Sequence, residues 1–157
     1  LNPLLKNNTE LVQLFVSDKD NSKSNSKIRS SWIVNKSDRL ADEMDENFQG
    51  SVVNLDDFFE GLDKLNLLKI DVDGFDYRVL QGSKKLISIH KPIVFIELGE
   101  IDLQKNNNSI EDIINFFSEL EYSGILENGE KISSYQQVLA YLESSTHVNG
   151  IFRYNSD

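Results

Sequence analysis

The sequence has no cysteine, only two prolines, one methionine and one tryptophan among its 157 residues. Without cysteine it can form neither disulfides nor thiolate metal sites, and His90 and His147 lie far apart, so no metal site is expected. This usage fits a cytoplasmic chain. Cations are scarce as well: 16 Lys and Arg against 26 Asp and Glu leave a formal charge of -10. Binding to a phosphate backbone relies on clustered cations that release counterions, which makes nucleic acid a poor partner. Long apolar runs are also missing. Stretches such as Ile93 to Leu98 fall far short of the ~20 residues of a spanning helix, and Leu1 to Asn8 lacks the basic and apolar regions of a signal peptide. No membrane and no export route is addressed. There is no initiator Met either; the chain opens at Leu1 in an amphipathic stretch and reads as a piece of something longer.

What is present suffices for one soluble domain over 1–157, since 39% apolar residues can bury a real core. Leu11 to Val16 predicts a buried strand closed by the turn formers after Val16. Lys19 to Lys27 is too polar to pack and predicts a loop, and Ile28 to Val34, with Trp32, predicts an edge strand or hairpin arm partnered by Ser51 to Leu55. Ser37 to Gly50 is acidic and without pattern. Leu55 to Leu65 has helical spacing with Asp56 and Asp57 in its first turn. Leu67 to Val72 predicts a second buried strand, Gly74 a turn, and Phe75 to Ile87 a helix broken at Gly82. Pro92 stops that helix before a third, most apolar strand, Ile93 to Leu98. Ser109 caps a helix that Gly124 should end, and the tail offers a helix over Tyr135 to Leu142 and a strand around His147 to Tyr154.

Strands that are apolar on both faces and alternate with helices imply βαβ crossovers and a mostly parallel sheet. Ligands of such sheets settle beyond the carboxyl ends of the strands. The residues there are Ser17 and Asp18, then Asp71 and Asp73, then Glu97 followed by Gly99 and Glu100. Solvated turn chemistry accounts for Asp18 and Asp73 as readily as function does. Asp71, flanked by Ile70 and Val72, is costly to ionise inside a strand and points to function, and Glu97 is flanked by Ile96 and Leu98 in the same way.

The stretch KIDVDGFDYRVLQG at Lys69 to Gly82, with VVNLDDFF at Val52 to Phe59 and KPIVFIELGE at Lys91 to Glu100, resembles the FkbM family of methyltransferases. The likeness extends back to VSDKD and covers most of the chain. It implies a Rossmann-like α/β methyltransferase fold, S-adenosylmethionine as cofactor, and a hydroxyl on a sugar, polyketide or similar small molecule as acceptor. By the same resemblance, Ser17 and Asp18 fall on the adenine side, Asp71 and Val72 beside the sulfonium, and Asp73, Gly74 and Glu97 at the acceptor. His147, at the start of a last strand that the family runs antiparallel, is a weaker candidate at the acceptor, next to Gly99; His90 falls on the wrong end of its strand. Two positions depart from the family, which often has Glu where Asp73 stands and His where Gly99 stands. The family's glycine-rich first turn and the acid after its second strand do not occur in this sequence, so the domain is expected to be incomplete, to bind cofactor poorly, and to be inactive by itself. The missing strands would leave a central strand as an open edge, which invites a homodimer through that edge; a monomer with a continuous sheet would count against this.

Other readings compete. Asp71-Val72-Asp73 also matches the DxD pattern of metal-dependent glycosyltransferases, because two carboxylates one residue apart can share a cation. A phosphoacceptor domain would need a Lys where Glu97 stands, and a calcium loop would need its glycine two places beyond Gly74. A non-catalytic α/β interaction module, its acids no more than solvated strand ends, is the remaining alternative.

Overall fold

The computed structural model describes residues 8–12, 14–18 and 52–156. The loop, strand and acidic stretch expected between Lys19 and Gly50 lie outside the described residues. The first expected strand is shorter than its apolar run: β1 (Phe15–Val16) holds two residues, and Leu11 is 85% exposed. β2 (Val52–Val53) pairs with β1 in parallel, and its expected partner, Ile28 to Val34, lies outside the described residues.

α1 (Leu55–Phe58) starts where Asn54 accepts a hydrogen bond from the Asp57 amide at 2.8 Å. It stops after one turn, well short of Leu65, as the chain bends through Gly61 in the left-handed region. β3 (Leu67–Ile70) leads into α2 (Asp76–Gln81) and α3 (Lys84–His90), and Gly82 falls in the break between them as expected. The Asp56 carboxylate accepts from the Lys85 and Leu86 amides at 3.1 and 2.7 Å, so α1 caps α3. β4 (Ile93–Leu98) follows Pro92 with the predicted bounds. α4 (Glu100–Lys105) was not anticipated. α5 (Ile110–Glu119) opens on a capping box between Ser109 and Asp112. It ends before the left-handed Glu121, and Gly124 lies inside β5 (Tyr122–Leu126), not at the helix end. α6 (Tyr135–Leu142) and β6 (Val148–Tyr154) complete the chain.

Four strands form one sheet in the order β3-β4-β6-β5. The sheet is mixed, not mostly parallel. β3 and β4 run parallel, but β6 inserts between β4 and β5 antiparallel to both. Apolar patterning reports burial and carries no direction; the antiparallel run of the last strand is what the family resemblance implies. As a result the carboxyl ends of β3, β4 and β5 and the amino end of β6 share one edge, with Leu98 opposite Val148 and Leu126 opposite Gly150.

One sheet face is closed. Ile70, Val94, Ile96, Leu98, Val148 and Phe152 join α2, α3, α5 and α6 in a single apolar cluster. The strands are not apolar on both faces: the opposite face carries Lys69, Glu97, Asn149 and Arg153 beside half-buried Phe95, Ile125 and Ile151. Among the described residues no helix is long and apolar enough to cross a membrane.

Candidate functional site

The shared edge gathers the acids that the sequence singles out after β3 and β4. Ile70 pairs with Ile96, so Asp71, the first residue past β3, and Glu97 of β4 each follow a paired position at this edge. Asp71 is not buried. β3 ends one residue before it, its side chain is 50% exposed, and Lys69 contacts it at 2.6 Å. An exposed pair of this kind stabilises by about 0–1 kcal/mol. Asp73, also exposed, sits in the left-handed region. Glu97 is half-buried, and burial pushes its carboxyl above the usual carboxylate range; His147 opposes that rise, while Asp71, Asp76 and Asp73 add to it.

The buried acid of this loop is Asp76, 2% exposed, which in sequence looks like no more than a polar helix start. Its carboxylate accepts from the Gly74 amide at 3.0 Å and more weakly from the Val72 amide at 3.4 Å, holding Val72 and Gly74 in the turn. Burial raises its pKa, its backbone hydrogen bonds oppose the rise, and Asp71 adds to it. A raised folded value means that the folded state binds the proton more readily than the unfolded chain, so Asp76 favours folding at acid pH and that contribution fades as pH climbs from about 4 through its folded value. Asp76→Ala, which leaves the Gly74 amide without its partner, should cost about 1–3 kcal/mol. Asp76→Asn keeps an acceptor without the charge and should flatten this part of the pH profile in urea unfolding; an unaltered profile would refute the assignment.

Glu100, the other buried acid, accepts from the Ile110 amide at 2.9 Å, Tyr135 Oη at 2.8 Å and Gln104 Nε2 at 2.9 Å, and so ties α4 to α5 and α6. Asp102, on the same helix, accepts from Lys105 and stands 2.7 Å from His147 Nε2. Those two partners hold the Asp102 carboxyl below the usual range, and Asp102 in turn raises His147. The ring of His147 fills the space over Gly99, where a Cβ would meet its Cδ2 at 2.4 Å. Neither Asp102 nor its pairing with His147 was found from sequence; only the start of β6 opposite the exit of β4 hinted at His147.

Ser17 and Asp18 form a separate feature. Ser17 Oγ donates to Asp18 at 2.8 Å, the Ser17 amide donates to the Val53 carbonyl at 2.9 Å, and none of these bonds reaches the acidic edge. A polar groove of about 470 Å³ lined by Tyr77, Lys84, Asp112 and Glu119 holds none of the edge residues. Among the described residues no group of three or more His, Asp or Glu side chains is arranged to hold a metal ion.

An α/β layer with an acidic rim where its parallel strands end is a scaffold for a ligand bound at that rim, preferably one carrying positive charge. A family model described as the methyltransferase FkbM domain matches residues 2–123, and the chain belongs to this family. No curated protein and no solved structure matches the chain. The matched stretch stops within β5, so α6, His147 and β6 lie beyond it although β6 is an inner strand of the sheet.

Proposed function

We propose that the chain serves S-adenosylmethionine-dependent methyl transfer to a hydroxyl of a small molecule such as a sugar or polyketide, on a Rossmann-like scaffold. The observation that carries this is the concentration of acidic side chains at the rim: exposed Asp71 and Asp73 follow β3 beside half-buried Glu97 of β4. This donor set suits a cation and disfavours an anion. When bound, the cofactor supplies an electrophilic methyl group on a sulfonium. A carboxylate about 4 Å from that charge gains on the order of 4 kcal/mol in a partly screened site. In this reading Asp71 and Val72 border the sulfonium, Asp73, Gly74, Glu97 and Gly99 border the acceptor, and Ser17 and Asp18 are the adenine contacts. Orientation of the two reactants then supplies much of the catalysis.

The sequence contains no glycine-rich turn to grip the rest of the cofactor, so weak binding is expected and backbone NMR titration is the suitable measurement. The native chain should bind S-adenosylmethionine more tightly than S-adenosylhomocysteine, its uncharged thioether counterpart, with shifts centred on Asp71 to Gly74 and Glu97 to Gly99. Asp71→Asn should erode that preference roughly tenfold if it removes about 1.4 kcal/mol of charge attraction. Equal affinity of the native chain for the two compounds, or shifts centred elsewhere, would rule the reading out.

A further inference from the structure

His147 immediately precedes β6 with a half-exposed ring, and its backbone is anchored by Ser145 Oγ, which donates to the His147 carbonyl at 2.7 Å. Its Nε2 lies 2.7 Å from Asp102 Oδ2, and Lys105 holds the other oxygen of that carboxylate. An ionised carboxylate only accepts, so the hydrogen of this bond sits on Nε2. Once the ring is neutral, Nδ1 is therefore the nitrogen with a free lone pair, and no described residue hydrogen-bonds to it. Two close approaches fix the pair over the rim. Gly99 lets the ring lie where a Cβ would be 3.0 Å from Nε2, and Gly74 lets the Asp102 carbonyl lie where a Cβ would be 2.4 Å away. Asn106, just past α4, adds a hydrogen bond from its Nδ2 to the Gly74 carbonyl at 3.0 Å. The charged groups acting on the ring are Asp102 from α4, Glu97 from β4 and Asp73 from the loop after β3, and Lys105 of α4 is paired with Asp102.

An ion pair this accessible to solvent stabilises by no more than about 1 kcal/mol, so its value as a structural tie is small. Its chemical value is greater, because it fixes the tautomer and direction of a base beside the acidic rim. We propose that His147 takes the proton from the methyl acceptor's hydroxyl, with Asp102 as its positioning residue and Gly99 as the seat that allows the ring to reach it. This rests on the methyl-transfer reading above. In the step, the hydroxyl proton passes to Nδ1 while an oxygen lone pair forms the new C–O bond. The methyl–sulfur bond breaks with its electron pair kept by sulfur, leaving a neutral thioether, and the new imidazolium is balanced by Asp102. Glu97 of the neighbouring β4 strengthens the base by its charge.

The test uses the full chain with ¹⁵N-labelled histidine. At pH above its titration, His147 should show the Nε2–H tautomer, and its midpoint should lie above the ordinary histidine range. Asp102→Asn should lower that midpoint, and Gly99→Ala should do the same by displacing the ring; should Gly99→Ala fail to fold, Asp102→Asn decides. An Nδ1–H tautomer, or a midpoint indifferent to Asp102→Asn, overturns the proposal. Transfer of labelled methyl from S-adenosylmethionine to a mixture of methyl glycosides provides the second readout. Turnover should rise with pH through the NMR midpoint and fall at least ~100-fold in His147→Gln with little change in cofactor KM, and added imidazole should partly rescue His147→Ala. Asp102→Asn should move the kinetic and NMR midpoints together. The methyl-transfer reading stands or falls on the S-adenosylmethionine titration above; where the native chain transfers methyl and His147→Gln keeps its turnover, only the assignment of the base falls.

Discussion

Phe117→Ala is expected to destabilise the chain by about 3–5 kcal/mol. Phe117 projects from α5, is 1% exposed, and stacks on Phe152 of β6 with ring centroids 3.9 Å apart. Phe116 and Tyr122 approach the same ring, each with centroids 5.5 Å away. Truncation therefore removes the apolar transfer contribution and opens a cavity that aromatic neighbours on a helix and two strands cannot easily fill. The effect should reach the rim, because Phe152 lies on the strand that directly follows His147. Phe117→Leu keeps most of the volume and should cost less than about 1.5 kcal/mol. Urea unfolding of both variants tests this. A loss in Phe117→Ala no greater than in Phe117→Leu would mean that the α5–β6 contact does not hold the sheet together.

Elements with hard boundaries were legible in the sequence. β4 is bounded by Pro92 and Gly99, and α5 begins at a Ser109 cap that satisfies amide donors any helix start leaves open. Short elements were not. α4 is six residues long with Ile101 65% exposed, so it has no apolar stripe to read. The buried acid was assigned to the wrong residue for a related reason: Asp71 lies between two apolar residues and looks enclosed, yet β3 stops at Ile70 and alternation no longer governs the turn beyond it. Asp76 reads as an ordinary helix start, and its burial comes from the turn folding back over it. The contact between His147 and Asp102 spans 45 residues, and no local pattern encodes such a pairing. The gathering of acids at strand ends, by contrast, depends on strand polarity alone, and the parallel β3–β4 pair preserves it.

Gly74→Ala should be the most disruptive substitution at the rim, with an expected cost of about 2–5 kcal/mol. Gly74 has φ +90°, which an L side chain resists, and a Cβ there would stand 2.4 Å from the Asp102 carbonyl oxygen and 2.7 Å from its carbon. These are backbone atoms of α4, so a rotamer change cannot relieve the contact; the helix or the loop has to move. Gly61→Ala is the control, because Gly61 has φ +81° with nothing within 4 Å of its Cβ position. It should show the conformational cost alone, about 1–2 kcal/mol, and leave the titration of His147 unchanged. Gly74→Ala should lose more and should also bring the His147 midpoint down toward the ordinary histidine range, since pushing α4 away separates Asp102 from the ring. Equal losses in the two variants, with His147 titrating as in the native chain, would mean that α4 is free to shift and that the loop after β3 does not set the geometry of the pair.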